Sequence, residues 1–411
     1  MVSTRMLRRL LAWSLALFFG AQTLVISILL VIDAWRKRSR PQGRFPRSRP
    51  VPEKVAHSEV QLYTYGEDLY AAMLHAIRQA QERIVLETFI WKDDQIGRQF
   101  KQELIRAAER GVAVYIIFDS FANLVVPRRF KRFPTALNVL EYPLLSWHWH
   151  PFHLRSYARD HRKILVVDGD TAFVGGYNIG SLYATAWRDT HACIRGPAAW
   201  ELENVFIDFW NAHRKRHLPT LPDLGTRDWD PHINIHRNDP QLLIFPIRTT
   251  YLEAIDRAQH HVYLTHAYFI PDRIILQALL AAAQRGVDVC ILLPATSNHV
   301  LTDWLARGYY MQCLKGGIRL LLYQNAMVHA KTATIDSAWS TIGTANMDRL
   351  SMVGNFEVNA EVYDEALARQ MEDIFLKDAS NTRELTLEEW RQRSLLEKLA
   401  ETLLLPLRPL L

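Results

Sequence analysis

A duplicated pattern of histidine, lysine and aspartate constrains this 411-residue chain more than any other feature. The run from His161 to Asp168 reads HRKILVVD, and the run from His329 to Asp336, 168 positions later, reads HAKTATID. Three further positions match in the same register, namely Gly175 with Gly343, Asn178 with Asn346, and Asp189 with Glu357. Matches at so many polar and glycine positions in one register do not arise by chance, so the chain contains two similar halves.

Strand-like and helix-like segments alternate in each half. The sequence RGVAV at 110–114 recurs as RGVDV at 285–289, each copy after a helix-like stretch and each preceded by an apolar run, at 84–90 and 262–266. Such alternation predicts α/β units. We expect one lobe over 51–218, a second over 241–380, and a proline-containing connection over 219–240. Residues 1–50 form an anchor and basic linker, and 381–411 a helical tail.

Strand parity separates the histidine and lysine of each motif from its aspartate. Alternate side chains of a strand share a face, so the histidine and lysine point the same way. The aspartate has the opposite parity and ends the strand, which suits a turn or a supporting contact better than chemistry at phosphorus. The residues predicted for the active site are His161, Lys163, Asp168, His329, Lys331 and Asp336.

Two histidines and two lysines suffice for phosphodiester chemistry. A neutral imidazole attacks phosphorus, and a protonated imidazole gives the leaving oxygen its proton. Lysine ammonium groups neutralise the non-bridging oxygens, so this chemistry needs neither a metal nor a cofactor. A carboxylate on the second ring nitrogen fixes each histidine tautomer, and Asp189 and Glu357, each 28 residues after the histidine of its own repeat, match this role. Asn178 and Asn346 are candidate amide donors to the same phosphate.

The charge pattern indicates what the chain binds, and the cysteine content indicates the compartment in which it folds. The net charge is +6, and an acid-free run of seven cations between Arg36 and Arg49 follows an apolar N-terminal segment. A basic run in that position is typical of contact with anionic lipid. The three cysteines have no zinc or redox spacing, which favours buried, reduced thiols in a reducing cytoplasm.

The segment from Leu10 to Ile32 carries no charge and is long enough to span a bilayer. It is longer than a signal-peptide core and lacks a small-residue cleavage site after it, so we interpret it as a single-pass anchor. Only three cations precede it, at positions 5, 8 and 9, so the positive-inside bias predicts an inner-membrane protein with cytoplasmic lobes.

Three weaker patterns keep alternative interpretations. The leucine-rich end, 395–411, fits either a membrane-surface helix or a helix docked on the core. The stretch from Trp147 to His153 fits lipid insertion or an ordinary loop, and fits a metal site less well. The basic cluster from Arg128 to Phe133 fits a solvated helix face or a headgroup contact.

The paired motif resembles that of the phospholipase D superfamily, and the flanking sequence resembles bacterial cardiolipin synthases. The likeness runs from about Gln61 to Leu376 and includes the stretches ETFIW at 87–91, AYF at 267–269, KGG at 315–317 and GTANMD at 343–348. It implies two α/β lobes, each a mixed sheet flanked by helices, related by a pseudo-twofold axis with the active site between them. A single N-terminal span and Thr344, where serine is commoner, depart from the family pattern.

The resemblance also implies a reaction. His161 attacks one phosphatidylglycerol to give a phosphatidyl-histidine, and a second phosphatidylglycerol captures it to give cardiolipin and glycerol. His329 serves as the general acid and then the base. Hydrolysis by the same histidines, a nuclease and a non-enzymatic lipid-binding protein are the alternatives; the membrane anchor disfavours nucleic acid, and both intact histidines disfavour the non-enzyme.

Overall fold

The computed structural model describes residues 4–38, 44–144, 157–225 and 230–410. The aromatic and histidine-rich stretch from Trp147 to His153, part of the basic run (Arg40) and the final Leu411 lie outside these ranges. A 35-residue helix, α1 (Thr4–Arg38), begins the described chain.

The first lobe is built on an eight-stranded mixed sheet with the order β1-β2-β9-β7-β6-β3-β4-β5. Its strands are β1 (Pro52–Val55), β2 (Ser58–Tyr63), β3 (Arg83–Thr88), β4 (Ala113–Asp119), β5 (Asn138–Tyr142), β6 (Ile164–Val167), β7 (Thr171–Gly175), a short β8 (Trp187–Arg188) outside the sheet, and β9 (His191–Arg195). Its helices are α2 (Gly66–Gln79), α3 (Gln95–Glu109), α4 (Ser181–Thr185) and α5 (Ala199–His213).

The second lobe repeats this plan with the order β10-β19-β17-β16-β11-β13-β14-β20. Its strands are β10 (Ile233–Asn238), β11 (His261–His266), β12 (Phe269–Ile270), β13 (Asp288–Pro294), β14 (Arg319–Tyr323), β15 (Met327–Val328), β16 (Lys331–Ile335), β17 (Trp339–Gly343), β18 (Met347–Asp348), β19 (Glu357–Tyr363) and β20 (Thr382–Leu385). Its helices are α6 (Pro246–Arg257), α7 (Arg273–Gln284), α8 (Val300–Lys315), α9 (Arg349–Val353), α10 (Glu365–Ala379), α11 (Leu387–Arg391), α12 (Leu395–Leu404) and a final 3₁₀ helix (Leu405–Leu410).

The two motif strands occupy equivalent central positions, β6 beside β3 and β16 beside β11. One apolar cluster takes residues from both sheets, including Val166 and Val174 of the first and Ile342 and Val358 of the second. A shared core of this kind fixes the lobes against each other, because separating them would expose apolar surface to water. The predicted class, two α/β lobes of mixed sheets flanked by helices, is confirmed.

Two of the predicted boundaries need correction. The stretch 219–240 is more than a connection, because it contains β10, which pairs with β19 as β2 pairs with β9 in the first lobe. The polar residues of β10, such as Asn234 and His236, hide the alternation by which a strand is recognised. The tail 381–411 is not wholly helical, since β20 pairs with β14 at the edge of the second sheet.

The basic cluster is also not a helix. Residues 128–131 form turns, Phe130 is buried, and Lys131 forms an ion pair with Glu141 (2.9 Å). Farther toward the N-terminus, the guanidinium of Arg47 lies 3.4 Å from the ring centroid of Tyr65. The second half of the basic run therefore lies along the folded body.

Candidate active site

The two histidines are held by matching backbone contacts across the lobe interface. His161 N donates to the carbonyl oxygen of Phe356 (3.0 Å), and His329 N donates to that of Arg188 (2.6 Å). Around them, β8 pairs in parallel with β15, and Asp160 forms an isolated bridge with Phe356. Each histidine thus lies beside the segment of the other lobe that carries an acidic residue, which produces the pseudo-twofold arrangement.

Both ring systems make their carboxylate contact across that interface. His161 Nδ1 lies 3.0 Å from both Glu357 carboxylate oxygens, and His329 Nδ1 lies 2.6 Å from Asp189 Oδ2. The equal 28-residue spacing suggested that each acid orients the histidine of its own repeat, and this pairing is wrong. Docking the lobes face to face brings the end of each acid-bearing segment to the opposite histidine, a relation that spacing within one repeat cannot reveal.

Thr344 adds a contact on one side only. Its hydroxyl donates to Glu357 Oε2 (2.5 Å) and accepts from Val358 N (2.9 Å). The equivalent position in the first lobe is Gly176, where a Cβ would lie 2.1 Å from Asp189 Oδ1. Thr344 therefore supplies the same hydroxyl group that a serine would. The first lobe has no hydroxyl at this position, because Gly176 lets the backbone approach Asp189 closely.

Both lysines are buried beside their histidines. Lys163 Nζ donates to the carbonyl oxygen of His161 (2.6 Å), and Lys331 Nζ donates to that of His329. An ammonium group has three donors, so each lysine retains donors for an anion after making this contact. Burial lowers the pKa of Lys163 to about 7 and that of Lys331 to about 8.

Burial also keeps both imidazoles neutral. Burial, with the charges of Lys163 and Lys331 acting in the same direction, lowers the pKa of His161 well below its ordinary value and that of His329 to about 3. The two acids differ, because burial raises the pKa of Glu357 to about 8, whereas at Asp189 the opposing influence of His329 and Lys331 outweighs burial and lowers the pKa. A neutral imidazole is the nucleophilic form.

Asn178 and Asn346 occupy equivalent positions in the two repeats, and both are buried. Asn178 Oδ1 accepts from Ile90 N (3.1 Å), which orients the side chain and leaves its amide hydrogens to face elsewhere. Asn346 Oδ1 has no hydrogen-bond partner among the described residues. Gly175 and Gly343 end strands rather than form tight turns, and a Cβ at Gly343 would lie 2.1 Å from Asn359 Oδ1.

The motif aspartates do not join this cluster, and their grouping with the catalytic residues is revised. Asp168 accepts from the backbone nitrogens of residues 81, 82 and 83 at 2.8–2.9 Å, and Asp336 accepts from those of 259, 260 and 261 at 2.7–2.9 Å. Both have left-handed backbones, with φ of 51° and 53°. They pin the turn after the motif strand to the start of β3 or β11, a structural role consistent with their parity.

A cluster of buried charged residues lies behind His161 and was not predicted from the sequence. Arg162 forms ion pairs with Glu87 (2.6 Å) and Asp160 (3.2 Å), and its guanidinium lies 4.1 Å from the Phe209 ring centroid. The only sequence signal was Glu87 inside the stretch that resembles synthases. The second lobe has Thr265, Val328 and Ala330 at the three charged positions.

Aromatic rings flank both imidazoles. The Phe89 ring lies 4.7 Å from that of His161, and the Trp187 ring lies 5.0 Å from that of His329. These rings exclude water from one side of each imidazole. Within the described ranges, no group of three histidine, cysteine or acidic side chains is arranged to hold a metal ion.

Comparison with known proteins decides the family. The family described as "Cardiolipin synthase, PLD-like domain" matches residues 73–210 and 251–379, one segment in each lobe. The chain belongs to the cardiolipin synthase family of phospholipase D-like proteins. This confirms the resemblance drawn from the paired motif.

Curated family members match over most of their length. A cardiolipin synthase of Clostridium perfringens (strain SM101 / Type A) is 33% identical over 372 residues, covering 86% of this chain and 77% of the relative. The major cardiolipin synthase ClsA of Bacillus subtilis (strain 168) is 32% identical over 366 residues, covering 86% and 76%. Among solved structures, a phosphatidylserine synthase of Haemophilus influenzae Rd KW20 superposes with a TM-score of 0.66 at 14% identity, covering 88% of this chain and 95% of that one, which supports the fold.

Proposed function

We propose that this chain makes cardiolipin by transferring a phosphatidyl group from one phosphatidylglycerol to another, with release of glycerol. The observation that carries the proposal is the pair of crossed histidine–carboxylate contacts at one interface, with a buried lysine beside each histidine. Membership of a family whose curated relatives are named cardiolipin synthases supports the choice of reaction.

In the first step, neutral His161 attacks phosphorus through Nε2. The new P–N bond forms as the P–O bond to the glycerol headgroup breaks, and protonated His329 gives its proton to the departing oxygen. The positive charge that develops on the His161 ring is stabilised by Glu357, which lies 3.0 Å from Nδ1. The products of this step are a phosphatidyl-histidine and free glycerol.

In the second step, a hydroxyl of another phosphatidylglycerol attacks the same phosphorus. His329, now neutral, takes the proton of that hydroxyl, and the P–N bond breaks to restore His161. Asp189 orients His329 in both steps through its contact with Nδ1 (2.6 Å). Two phosphatidylglycerol molecules thus give one cardiolipin and one glycerol, and both histidines regain their starting protonation.

The lysines and asparagines bind the phosphodiester in this proposal. Lys163 and Lys331 neutralise its non-bridging oxygens, and the amides of Asn178 and Asn346 donate to them. Because the charge of Lys331 contributes to the low pKa of His329, an anion between the two lysines offsets that charge. Substrate binding thereby raises the pKa of His329 and prepares it as the acid.

The reaction takes place at a membrane. Leu11–Trp35 of α1 has the length and apolar composition of a membrane span. The positive-inside bias, with the basic run following the span, supports a position of the lobes on the cytoplasmic side of the inner membrane. Anionic lipid there supplies both the substrate and a surface that attracts the basic linker.

The test compares the purified full-length protein with two variants on phosphatidylglycerol vesicles, with lipid products resolved by mass spectrometry. His161→Ala removes the nucleophile, and His75→Ala changes an exposed histidine on α2 as the matched control. We expect cardiolipin and glycerol from the parent and the control, and neither from His161→Ala. Phosphatidic acid without cardiolipin would assign hydrolysis instead, and absence of any lipid turnover would overturn the proposal.

A further inference from the structure

The C-terminal helix α12 presents two different faces. Its acidic residues Glu397 and Glu401 contact Arg307 of α8 at 2.7 and 3.0 Å. Its leucines Leu395, Leu396 and Leu399 are 82%, 78% and 57% exposed. At 100° per residue these leucines fall within an arc of about 100°, so they form one apolar face that no described element covers.

The same helix packs against the second half of α1. Gln22 Nε2 donates to the carbonyl oxygen of Leu403 (2.9 Å), and Leu29 is buried in the cluster that includes Leu404. Leu403 lies in the last turn of α12, where carbonyl groups lack a partner within the helix. A carbonyl in lipid must find a partner inside the protein, and Gln22 provides it.

The position of the Gln22–Leu403 contact along α1 determines the depth of that contact in the bilayer. Gln22 lies near the middle of the apolar segment Leu11–Trp35. At about 1.5 Å per residue, about 17 Å of helix separates Leu11 from Gln22, whereas a bilayer core is about 30 Å thick. If the contact with α12 lay outside the hydrocarbon, too little apolar helix would remain to cross it, and any tilt would enlarge the deficit.

We propose that α12 lies within one leaflet of the bilayer beside α1, with the face formed by Leu395, Leu396 and Leu399 in contact with lipid acyl chains. Glu397 and Glu401 face Arg307 of α8, and Lys398 donates to the carbonyl oxygen of Arg391 (3.0 Å), so these charged residues lie outside the arc of the leucine face. Leu24 and Leu30 of α1 are likewise exposed apolar residues. This placement combines the two interpretations of the tail, since α12 is docked on the protein by one face and faces lipid by the other.

The test is a depth measurement on the full-length protein in phosphatidylglycerol-containing vesicles. Leu396→Cys carries an environment-sensitive fluorophore, and Leu376→Cys is the matched control, an exposed leucine (55%) on α10. Helix α10 packs on the opposite face of the second sheet from α8. The native cysteines are buried, and burial raises their thiol pKa to about 12, so they react slowly with the label.

We expect the label at 396 to emit at shorter wavelength and to be quenched several-fold more by acyl-chain spin-labelled lipid than the label at 376, which iodide should quench instead. Equal iodide quenching at both positions would overturn the proposal. Emission at short wavelength without quenching by either agent would also overturn it, and would indicate a protein partner on this face. Cardiolipin formation measured in the same vesicles keeps a failure of the proposed reaction distinct, because the depth result does not depend on turnover.

Discussion

Replacing Glu357 with glutamine tests the crossed pairing directly. The glutamine retains the shape and an oxygen for the Thr344 hydroxyl (2.5 Å), but it loses the charge that faces His161 Nδ1 at 3.0 Å. A hydrogen bond to a charged group contributes about 1.5–3 kcal/mol. The glutamine amide also donates, so it favours a proton on Nε2 of His161, the nitrogen that must attack phosphorus.

The magnitude follows from these two losses. At about 1.4 kcal/mol per tenfold change in rate, loss of the charged contact alone slows attack roughly 10–100-fold. In serine protease triads, a carboxylate-to-amide change that also reverses the histidine tautomer costs about 10⁴-fold. We therefore expect Glu357→Gln to slow formation of the covalent intermediate by about 10²–10⁴-fold.

The assay uses a phosphatidyl ester whose leaving group is nitrophenolate. Such a leaving group departs without a proton, so the first step no longer depends on His329. The matched variant Asp189→Asn should retain a burst of nitrophenolate and accumulate the phosphatidyl-histidine, whereas Glu357→Gln should lose the burst. An adduct mapped to His161, combined with a burst lost in Asp189→Asn but kept in Glu357→Gln, would refute the crossed pairing.

Three further predictions follow from the site. The kcat/KM of the parent should fall as pH rises through about 7–8, because buried Lys163 and Lys331, with pKa values of about 7 and about 8, lose their charge; kcat should fall only at higher pH, since the bound phosphodiester favours the ammonium form. Thr344→Val should lower kcat about tenfold through loss of its bond to the acid, while Thr344→Ser stays near the parent in the vesicle assay. Asp168→Ala should lower the free energy of unfolding by about 2–4 kcal/mol in chemical denaturation, because three backbone donors lose their acceptor, with turnover per folded molecule unchanged.

The sequence predicted what depends on local pattern and on repetition. Two copies of one motif in register implied two similar lobes, and the apolar runs implied the central strands β3 and β11. Strand parity placed Asp168 and Asp336 away from phosphorus, and both anchor turns in the structure. These features follow from side-chain alternation within a few residues, which is why a single sequence reveals them.

Features that depend on how the lobes dock could not be predicted. The acid that contacts His161 lies 196 positions away in the other half, and nothing in the spacing of either repeat distinguishes that partner from Asp189. The strand β10 was hidden because its outer side chains are polar. Arg162 stands inside the motif, but its partner Glu87 is on a neighbouring strand, so their ion pair appears only when β3 and β6 are adjacent.

The two halves differ around their histidines, and these differences suit the separate roles of His161 as the nucleophile and His329 as the acid and base. His161 is backed by the Arg162 cluster and faces Glu357, whose pKa burial raises to about 8, whereas His329 is followed by Ala330 and faces Asp189, whose pKa is lowered despite burial. Attack through Nε2 requires Glu357 to be ionised and to accept from Nδ1–H of His161, a form that the charges of Lys163 and Lys331 favour against burial. A carboxylate that stays charged suits the histidine that must gain a proton when substrate binds. In two identical halves, the surroundings of the two histidines could become different only during catalysis. In this chain the two halves carry different residues, so the difference is present before substrate binds.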